Sequence, residues 1–139
     1  MEERKPYGVK KEMKNKDRFK FRAWDKRSKS MLRDYFISMF PIQQWVKHGW
    51  ILEESTGLKD KNGKLIYEGD IIELYRGKSN IHQKKGKRFE VKFLTHRFCG
   101  FGFGYVDCPS VDMALTESKA KICKVIGNIH ENPELLEDK

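Results

Sequence analysis

The chain has 139 residues, and its 29 Lys and Arg against 20 Asp and Glu give a formal net charge of +9. This length suits one domain, and no apolar run approaches the roughly 20 residues that a membrane-spanning helix needs. The N-terminus lacks the apolar core of a secretory signal, and three cysteines without a CxxC pair indicate reduced thiols. We therefore expect a basic cytoplasmic protein that does not enter a membrane.

The first 18 residues are predicted to be a mobile basic arm. They carry seven basic and four acidic side chains, or 7 − 4 = +3. Their few apolar side chains cannot offset the entropy lost on ordering. Residues 19–139 are then predicted to form a single domain.

The folded part is predicted to begin with a hairpin. Residues 19–24 alternate as a strand does, the polar residues 25–30 suit a turn, and residues 31–37 suit the returning strand. Pro41 then suits the first turn of a short helix near residues 41–48, which Gly49 would end.

Turns punctuate the middle of the chain. Asn62-Gly63 is the strongest short hairpin signal, because both central positions of a type I′ turn need positive φ. A brief strand at residues 65–67 leads through the tight turn Glu68-Gly69-Asp70 into the β-rich residues 71–75.

The second half alternates strands and loops. A basic loop precedes predicted strands at residues 88–94, 100–106 and 124–129, and Asn132-Pro133 suits a capped helix start. Short strands with glycine turns predict a mostly β domain. We expect a small, partly open barrel-like sheet with an N-terminal hairpin, one short helix and a C-terminal helical turn.

Three stretches of the chain carry a resemblance to a known family. They are FKFRAWD at residues 19–25, TGLKDKNGKLIYEGDI at residues 56–71 and VIGNIHENPELL at residues 125–136. In this order they resemble the YopX family, encoded by phages and prophages, over about residues 19–136. His130 departs from the pattern, since the family more often has Tyr there. The resemblance implies a phage or prophage accessory protein in a bacterial cytoplasm, with no established catalytic or binding residues to carry over.

A basic segment is the first candidate site. Residues 76–88 hold six cations and no carboxylate, so the chain outside this segment and the arm is neutral, 9 − 3 − 6 = 0. Such a cluster suits phosphate contacts of low sequence specificity, and it equally suits a solvated loop that aids solubility. Lys84, Lys85, Lys87 and Arg88 are the leading candidates for phosphate contacts. The full candidate set is Arg76, Lys78, Lys84, Lys85, Lys87 and Arg88.

Aromatic side chains are the second candidate site. Phe101, Phe103 and Tyr105 would share one face of a glycine-rich strand, as the base-stacking residues of RNA-binding sheets do. The Gly-Phe-Gly-Phe centre matches that pattern, but Cys99, Gly104 and Val106 depart from it. The alternative is that the three aromatics form core.

Metal binding and catalysis find weaker support. His96 and Cys99 have ligand-like spacing, but a structural zinc site needs a second close pair that Cys108, Cys123 and His130 do not provide. We predict no metal and no cofactor.

Three carboxylates, Asp60, Glu68 and Asp70, cluster in sequence as an acid and base would, but each lies at a predicted turn. No phosphate-binding glycine loop, nucleophile elbow or HExxH is present, and we predict no catalytic residues.

The sequence therefore predicts a non-enzymatic accessory protein that binds nucleic acid through the basic loop. The alternative is a protein-interaction or self-assembling module, with a homo-oligomer or a host or phage protein as partner. Its support is the surplus of aromatic side chains at Trp45, Trp50 and residues 101–105.

Overall fold

The computed structural model of the chain describes residues 20–74, 86–94, 100–105 and 108–137, with the backbone alone at residues 35, 104, 105 and 108–112. Within these ranges no helix has the length and apolar character needed to cross a membrane. The strands are β1 Phe21–Asp25, β2 Ser30–Leu32, β3 Ile51–Lys59, β4 Leu65–Tyr67, β5 Asp70–Leu74, β6 Lys87–Leu94, β7 Gly100–Tyr105, β8 Cys108–Ala114 and β9 Cys123–Asn128. The helices are α1 Asp34–Ile37, α2 Ile42–His48, α3 Glu117–Ala120 and a 3-10 helix, η1, at Pro133–Leu136.

The strands form two antiparallel sheets. The first has the order β2-β1-β3-β4 and the second the order β8-β7-β6-β5-β9. The tight turn at Glu68 and Gly69 leads directly from β4 in the first sheet to β5 in the second. The fold is mostly β, with a curled half-barrel sheet and few helices, which confirms the predicted fold class.

The N-terminal hairpin is present, but its returning strand is shorter than predicted. β2 pairs with β1 only at residues 30–32, and residues 34–37 are helical instead of extended. The helical backbone lets the rings of Phe36 and Phe40 meet at 5.3 Å and pack on Trp50. This aromatic packing overrides the strand preference that residues 31–37 show locally.

The predicted short helix is confirmed. α2 spans Ile42–His48, with Pro41 before its first residue and Gly49 after its last in the left-handed conformation at φ +68°. A glycine adopts this conformation without the steric cost that a Cβ would add. The indole of Trp45 donates a 3.0 Å hydrogen bond to the carbonyl of Ile37, which fixes α2 against α1.

The hairpin at Asn62-Gly63 is confirmed, although its turn type is not. β3 and β4 pair around residues 60–64, and Gly63 has φ +80°. Asn62 has no positive φ, so the turn is not type I′. The cause is Asp60, whose carboxylate accepts hydrogen bonds of 2.9 Å from the backbone N–H of both Asn62 and Lys64 and thereby shapes the loop.

Asp60 also joins this turn to β9. Its second carboxylate oxygen accepts a 2.9 Å hydrogen bond from the N–H of Val125, and the N–H of Lys61 donates to the carbonyl of Cys123 at 3.0 Å. The hairpin of the first sheet is thus bonded to the edge strand of the second. Asp60 is itself only 5% exposed.

The main core lies on the second sheet. Val91, Phe103 and Ile72 are fully buried, and the rings of Phe89 and Phe103 pack at 5.0 Å. Side chains from β4 and α3 pack on these residues of the second sheet, so the half-barrel encloses one apolar cluster. The buried members are Ile66, Ile72, Phe89, Val91, Phe103, Leu115, Ala120, Cys123 and Val125.

The C-terminal turn forms where predicted, but Asn132 does not cap it. η1 has no side-chain cap, and the side-chain amide oxygen (Oδ1) of Asn132 instead accepts a 3.4 Å hydrogen bond from the backbone N–H of Asn128. A Cβ at Gly127 would meet the Asn132 side chain, so this close approach requires glycine. The Asn132 side chain therefore bonds the backbone at the end of β9 and does not cap η1.

Replacing Asp60 by alanine should lower the free energy of unfolding by roughly 3 kcal/mol, since three backbone N–H groups lose a buried charged acceptor. Urea unfolding measures the change. Asn62→Ala, in the same turn, keeps every backbone donor and should stay within about 0.5 kcal/mol of the parent. Equal losses in the two variants would contradict the role given to the Asp60 carboxylate.

Candidate functional site

A buried ionic network joins the two sheets. Arg22 in β1 lies 2.7 Å from a carboxylate oxygen of Glu53 in β3 and 2.7 Å from one of Asp70 in β5. It also donates a 3.2 Å hydrogen bond to the carbonyl of Glu68. A guanidinium presents five N–H donors in a rigid plane, so one side chain can bond all three acceptors.

His130 extends the network from the turn after β9. Its Nε2 lies 2.6 Å from the second carboxylate oxygen of Glu53, and its ring stacks on Trp24 with 5.1 Å between centroids. The side chain is only 12% exposed. The ring thus supplies both a stacking face for Trp24 and a polar atom for the Glu53 carboxylate.

Burial changes the acidity of two carboxyl groups around Arg22. Burial raises the pKa of Asp70 above its ordinary value, while the Arg22 charge and the N–H of Tyr67 act in the opposite direction. The pKa of Glu68 is also raised, first by burial and then by the nearby charge of Glu53. The network therefore favours proton uptake at these two carboxyls in the folded protein.

A positively charged cleft lies over this network. It has a volume of about 800 Å³, and Arg22 contributes to its wall. The lining carries five cations, Arg22, Lys20, Lys29, Arg33 and Lys64, against the carboxylates of Asp34 and Glu131, or 5 − 2 = +3. The buried carboxylates of Glu53 and Asp70 beneath Arg22 reduce this formal surplus to 3 − 2 = +1.

Four separate elements bring these cations together. Lys20 precedes β1, Lys29 lies in the β1–β2 turn, Arg33 follows β2 and Lys64 precedes β4. The charges of Lys20 and Lys64 act on Tyr67 and Asp70 respectively, where each lowers the pKa against the larger effect of burial. The cations thus act on the centre of the cleft, where an anion would feel them together.

Lys29 occupies a strained backbone position. Its φ is +51°, and it is the one residue other than glycine with positive φ in the part of the chain that the structure describes. This conformation costs a lysine about 1 kcal/mol, while Gly, Asn or Asp would adopt it more readily. The turn therefore keeps an exposed cation at the cleft at the expense of stability.

Most of the predicted basic loop lies outside the described residues. This applies to Arg76, Lys78, Lys84 and Lys85, so their role stays a prediction. Lys87 is exposed at the first position of β6. Arg88 makes contacts within the fold. Its Nε lies 3.4 Å from a carboxylate oxygen of Glu73, and its guanidinium donates a 3.3 Å hydrogen bond to the carbonyl of Leu135 in η1. The phosphate contact of Arg88 stays a prediction, since its side chain makes these contacts and is also 30% exposed.

The aromatic row on β7 divides between core and rim. Phe103 is fully buried against Phe89, so it cannot stack a base, which corrects the stacking prediction at this position. Phe101 is half-buried and meets Phe93 edge-on at 5.2 Å. The side chain of Tyr105 lies outside what the structure describes. The alternative reading as core holds for Phe103.

The cysteine and histidine candidates do not come together in the described structure. His96 and Cys99 lie outside the described residues, as does the side chain of Cys108. Cys123 is a buried free thiol whose Sγ donates to the carbonyl of Ala120, and burial raises its pKa to about 11. Among the described side chains, no three His, Cys, Asp or Glu are grouped so as to hold a metal ion.

The three sequence-adjacent carboxylates separate into structural roles. Asp60 accepts backbone N–H groups at the β3–β4 turn, and Asp70 accepts from Arg22 and from the N–H of Tyr67 at 2.9 Å. Glu68 lies half-buried in the β4–β5 turn. The turn positions that the sequence indicated are confirmed for Asp60 and Glu68, while Asp70 is the first residue of β5 and accepts across the β4–β5 turn from Tyr67.

The cleft itself was not foreseen from the sequence. Its cations lie at positions 20, 29, 33 and 64 and form no run, so a search for dense charge passes over them. The one usable signal was the position of Arg22 within an alternating strand that also contains Ala23 and Trp24, both buried. A cation in a strand whose neighbouring residues are buried indicates that a carboxylate pairs with it inside the fold.

The three sequence stretches quoted above meet at this network. Arg22 comes from the first, Asp70 from the second and His130 from the third, with Glu53 between them in space. A family model described as YopX protein matches residues 36–137. The match includes the second and third stretches and begins after the first.

A solved structure is similar over most of the chain. It is the crystal structure of protein EF1440 from Enterococcus faecalis, with 31% sequence identity and a TM-score of 0.58 over 85% of this chain and 97% of that one. No curated protein matches the chain. The comparisons therefore identify relatives in fold and sequence and describe no activity.

Replacing Arg22 by methionine should lower the free energy of unfolding by roughly 3–5 kcal/mol at neutral pH, because two buried carboxylates lose their guanidinium. The loss should shrink as the pH falls below neutral. At lower pH the folded state, in which the pKa of Asp70 is raised, takes up a proton more readily than the unfolded state, and removing Arg22 raises that pKa further.

Urea unfolding at several pH values measures both effects. Arg27→Met, at an exposed cation of the β1–β2 turn, is the matched control and should change stability by less than about 0.5 kcal/mol. A deficit in Arg22→Met that stays constant across the pH range would show that the carboxylates do not depend on Arg22.

Proposed function

The chain belongs to the YopX family, and on that premise we propose that it is a non-enzymatic phage or prophage accessory protein that binds nucleic acid. The observation that carries the proposal is the positively charged cleft. Concave cationic sites attract polyanions, and nucleic acid is the polyanion that an accessory protein in a bacterial cytoplasm meets most often.

The cleft is suited to phosphate groups. Lys29, Arg33 and Lys64 are exposed side chains at its wall, and the fixed guanidinium of Arg22 lies deeper. Lysine and arginine contacts of this kind supply affinity and position, while sequence specificity would need contacts to base edges. We therefore propose binding of weak sequence specificity.

The basic segment at residues 76–88 and the arm at residues 1–18 supplement the cleft in this proposal. Together they carry 6 + 3 = +9, equal to the formal charge of the whole chain. In the proposal both add phosphate contacts to the same polyanion, and each such contact makes binding more sensitive to salt. Arg88 is counted in this charge, although it also contacts Glu73 and η1.

The double variant Arg33→Glu with Lys64→Glu should weaken binding at least about tenfold at low salt, and its salt slope should be smaller by about 1.4 for a single strand. Fluorescence anisotropy with labelled DNA and RNA across a salt series measures both. The reason is loss of two phosphate contacts together with new repulsion from two carboxylates.

The matched control is Lys26→Glu with Lys47→Glu. Both lysines are exposed and neither lines the cleft, yet the formal net charge falls by the same amount, 9 − 4 = +5. Equal weakening in the two variants would point to net charge alone. Absence of binding by the parent at low salt would overturn the proposed function.

Lys29→Asn should weaken nucleic-acid binding while leaving the fold as stable or stabilising it by at most about 1 kcal/mol. Asn accepts the left-handed backbone at this position and removes one cation from the cleft. The salt slope should fall by about 0.7 for a single strand. Lys26→Asn, in the same turn, should change neither the stability nor the binding. Lower stability in Lys29→Asn without weaker binding would contradict the proposal that the strained Lys29 serves ligand binding.

A second candidate function, protein interaction, is favoured by the surface of α2. Met39 is 71% exposed, Ile42 60% and Val46 80%, and no residue of the helix is buried. Ile42 and Val46 are one helical turn apart, so they form an apolar strip. Trp45 and Trp50, named from the sequence for this role, instead support the helix from beneath as half-buried side chains.

A further inference from the structure

We propose that the cleft receives an unpaired nucleotide, so that the preferred ligand is a single-stranded nucleic acid with one base inserted beside Tyr67. This inference rests on the proposed function and specifies its ligand. It follows from the size of the cleft, from the apolar part of its lining and from its two carboxylates.

The size of the cleft suits one nucleotide. Its volume of about 800 Å³ lies within the range of sites that take small molecules, roughly 300–1,000 Å³. In a duplex the bases are stacked and paired, and only their edges reach the grooves. A base can enter such a concavity only after it leaves the stack, and this costs least when the strand is single.

The lining offers apolar surface to a base. Met31 from β2, with Leu65 and Tyr67 from β4, lines the same cleft as the cations, and all three are half-buried. The guanidinium of Arg22 lies 4.8 Å from the centre of the Tyr67 ring, which holds that ring in place. A site for phosphate alone has no use for this surface, whereas an aromatic base gains from it.

The two carboxylates indicate the same ligand. Asp34 and Glu131 would repel a phosphate, yet both line the cleft among the lysines. Each accepts one hydrogen bond, Asp34 from the N–H of Phe21 at 3.4 Å and Glu131 from the side chain of Asn128 at 2.8 Å. A carboxylate can accept about four hydrogen bonds, so both can still accept from the amino groups of a base.

This chemistry favours bases with an exocyclic amino group. Cytosine presents its N4 amino group, for which Asp and Glu are the usual acceptors, and thymine presents a carbonyl at the same position. The carbonyl would face the carboxylates of Asp34 and Glu131 without a proton to share. We therefore expect cytosine to be preferred to thymine.

The test compares four labelled ligands of equal length by fluorescence anisotropy at low salt: oligo-dC, oligo-dT, an abasic strand and a duplex. Oligo-dC should bind at least about fivefold more tightly than the abasic strand, the gain expected from one stacked base, and more tightly than oligo-dT or the duplex. Met31→Ala should bring the ratio of oligo-dC affinity to abasic affinity close to one, because it removes apolar surface from the cleft. Met31→Gln, which keeps the side-chain length, should do the same and replaces Met31→Ala if that variant is unstable.

The outcomes separate this inference from the proposed function. Equal affinity for all four ligands, with the loss in Arg33→Glu plus Lys64→Glu retained, would overturn base insertion and leave nucleic-acid binding standing. Tighter binding of the duplex would do likewise. Failure of all four ligands to bind the full chain would overturn both proposals.

Discussion

The fold depends on one guanidinium that pairs with two buried carboxylates from different sheets. Arg22 bonds Glu53 in its own sheet and Asp70 in the other, and Glu53 reaches on to His130 beyond the last strand. A buried ion pair is a weak source of net stability, because its desolvation cost can exceed its attraction. Breaking it is costly, since moving the two sheets apart would leave a buried charge without its partner. The network therefore favours the observed arrangement of the two sheets.

The same network explains why the cleft is available for a ligand. Arg22 pairs with two buried carboxylates inside the fold. The other cations of the cleft come from separate elements, which place them around its opening. Lys29 shows that this placement is not the most stable one, since its backbone is strained. Sites that keep such strain are commonly those where binding matters more than stability. Arg22 thus belongs both to the buried network and to the lining of the cleft above it.

Much of the architecture was readable from the sequence because it depends on local chemistry. Gly49 ends α2 and Gly63 forms the hairpin turn through backbone freedom that only glycine has cheaply. The errors arose where distant contacts decide. Residues 34–37 are helical, and Phe36 packs on Trp50. Arg88 contacts Glu73 and η1. The cleft escaped prediction for the same reason, since its cations come from four places in the chain and meet only after both sheets have formed. Phe103 shows the converse, because alternation placed it correctly on one face without revealing that the face is core.

The contacts of Asp60 have a consequence for the behaviour of the chain in concentrated solution. β9 pairs with β5 on one side only, and the Asp60 turn occupies the N–H of Val125 and the carbonyl of Cys123 on the other. An uncovered edge strand is a template onto which another chain can add by backbone hydrogen bonding. A single carboxylate and one peptide group therefore cover one donor and one acceptor on the outer edge of β9. The residue that shapes a hairpin in one sheet thereby leaves fewer backbone groups at this edge of the other sheet to which a second chain could bond.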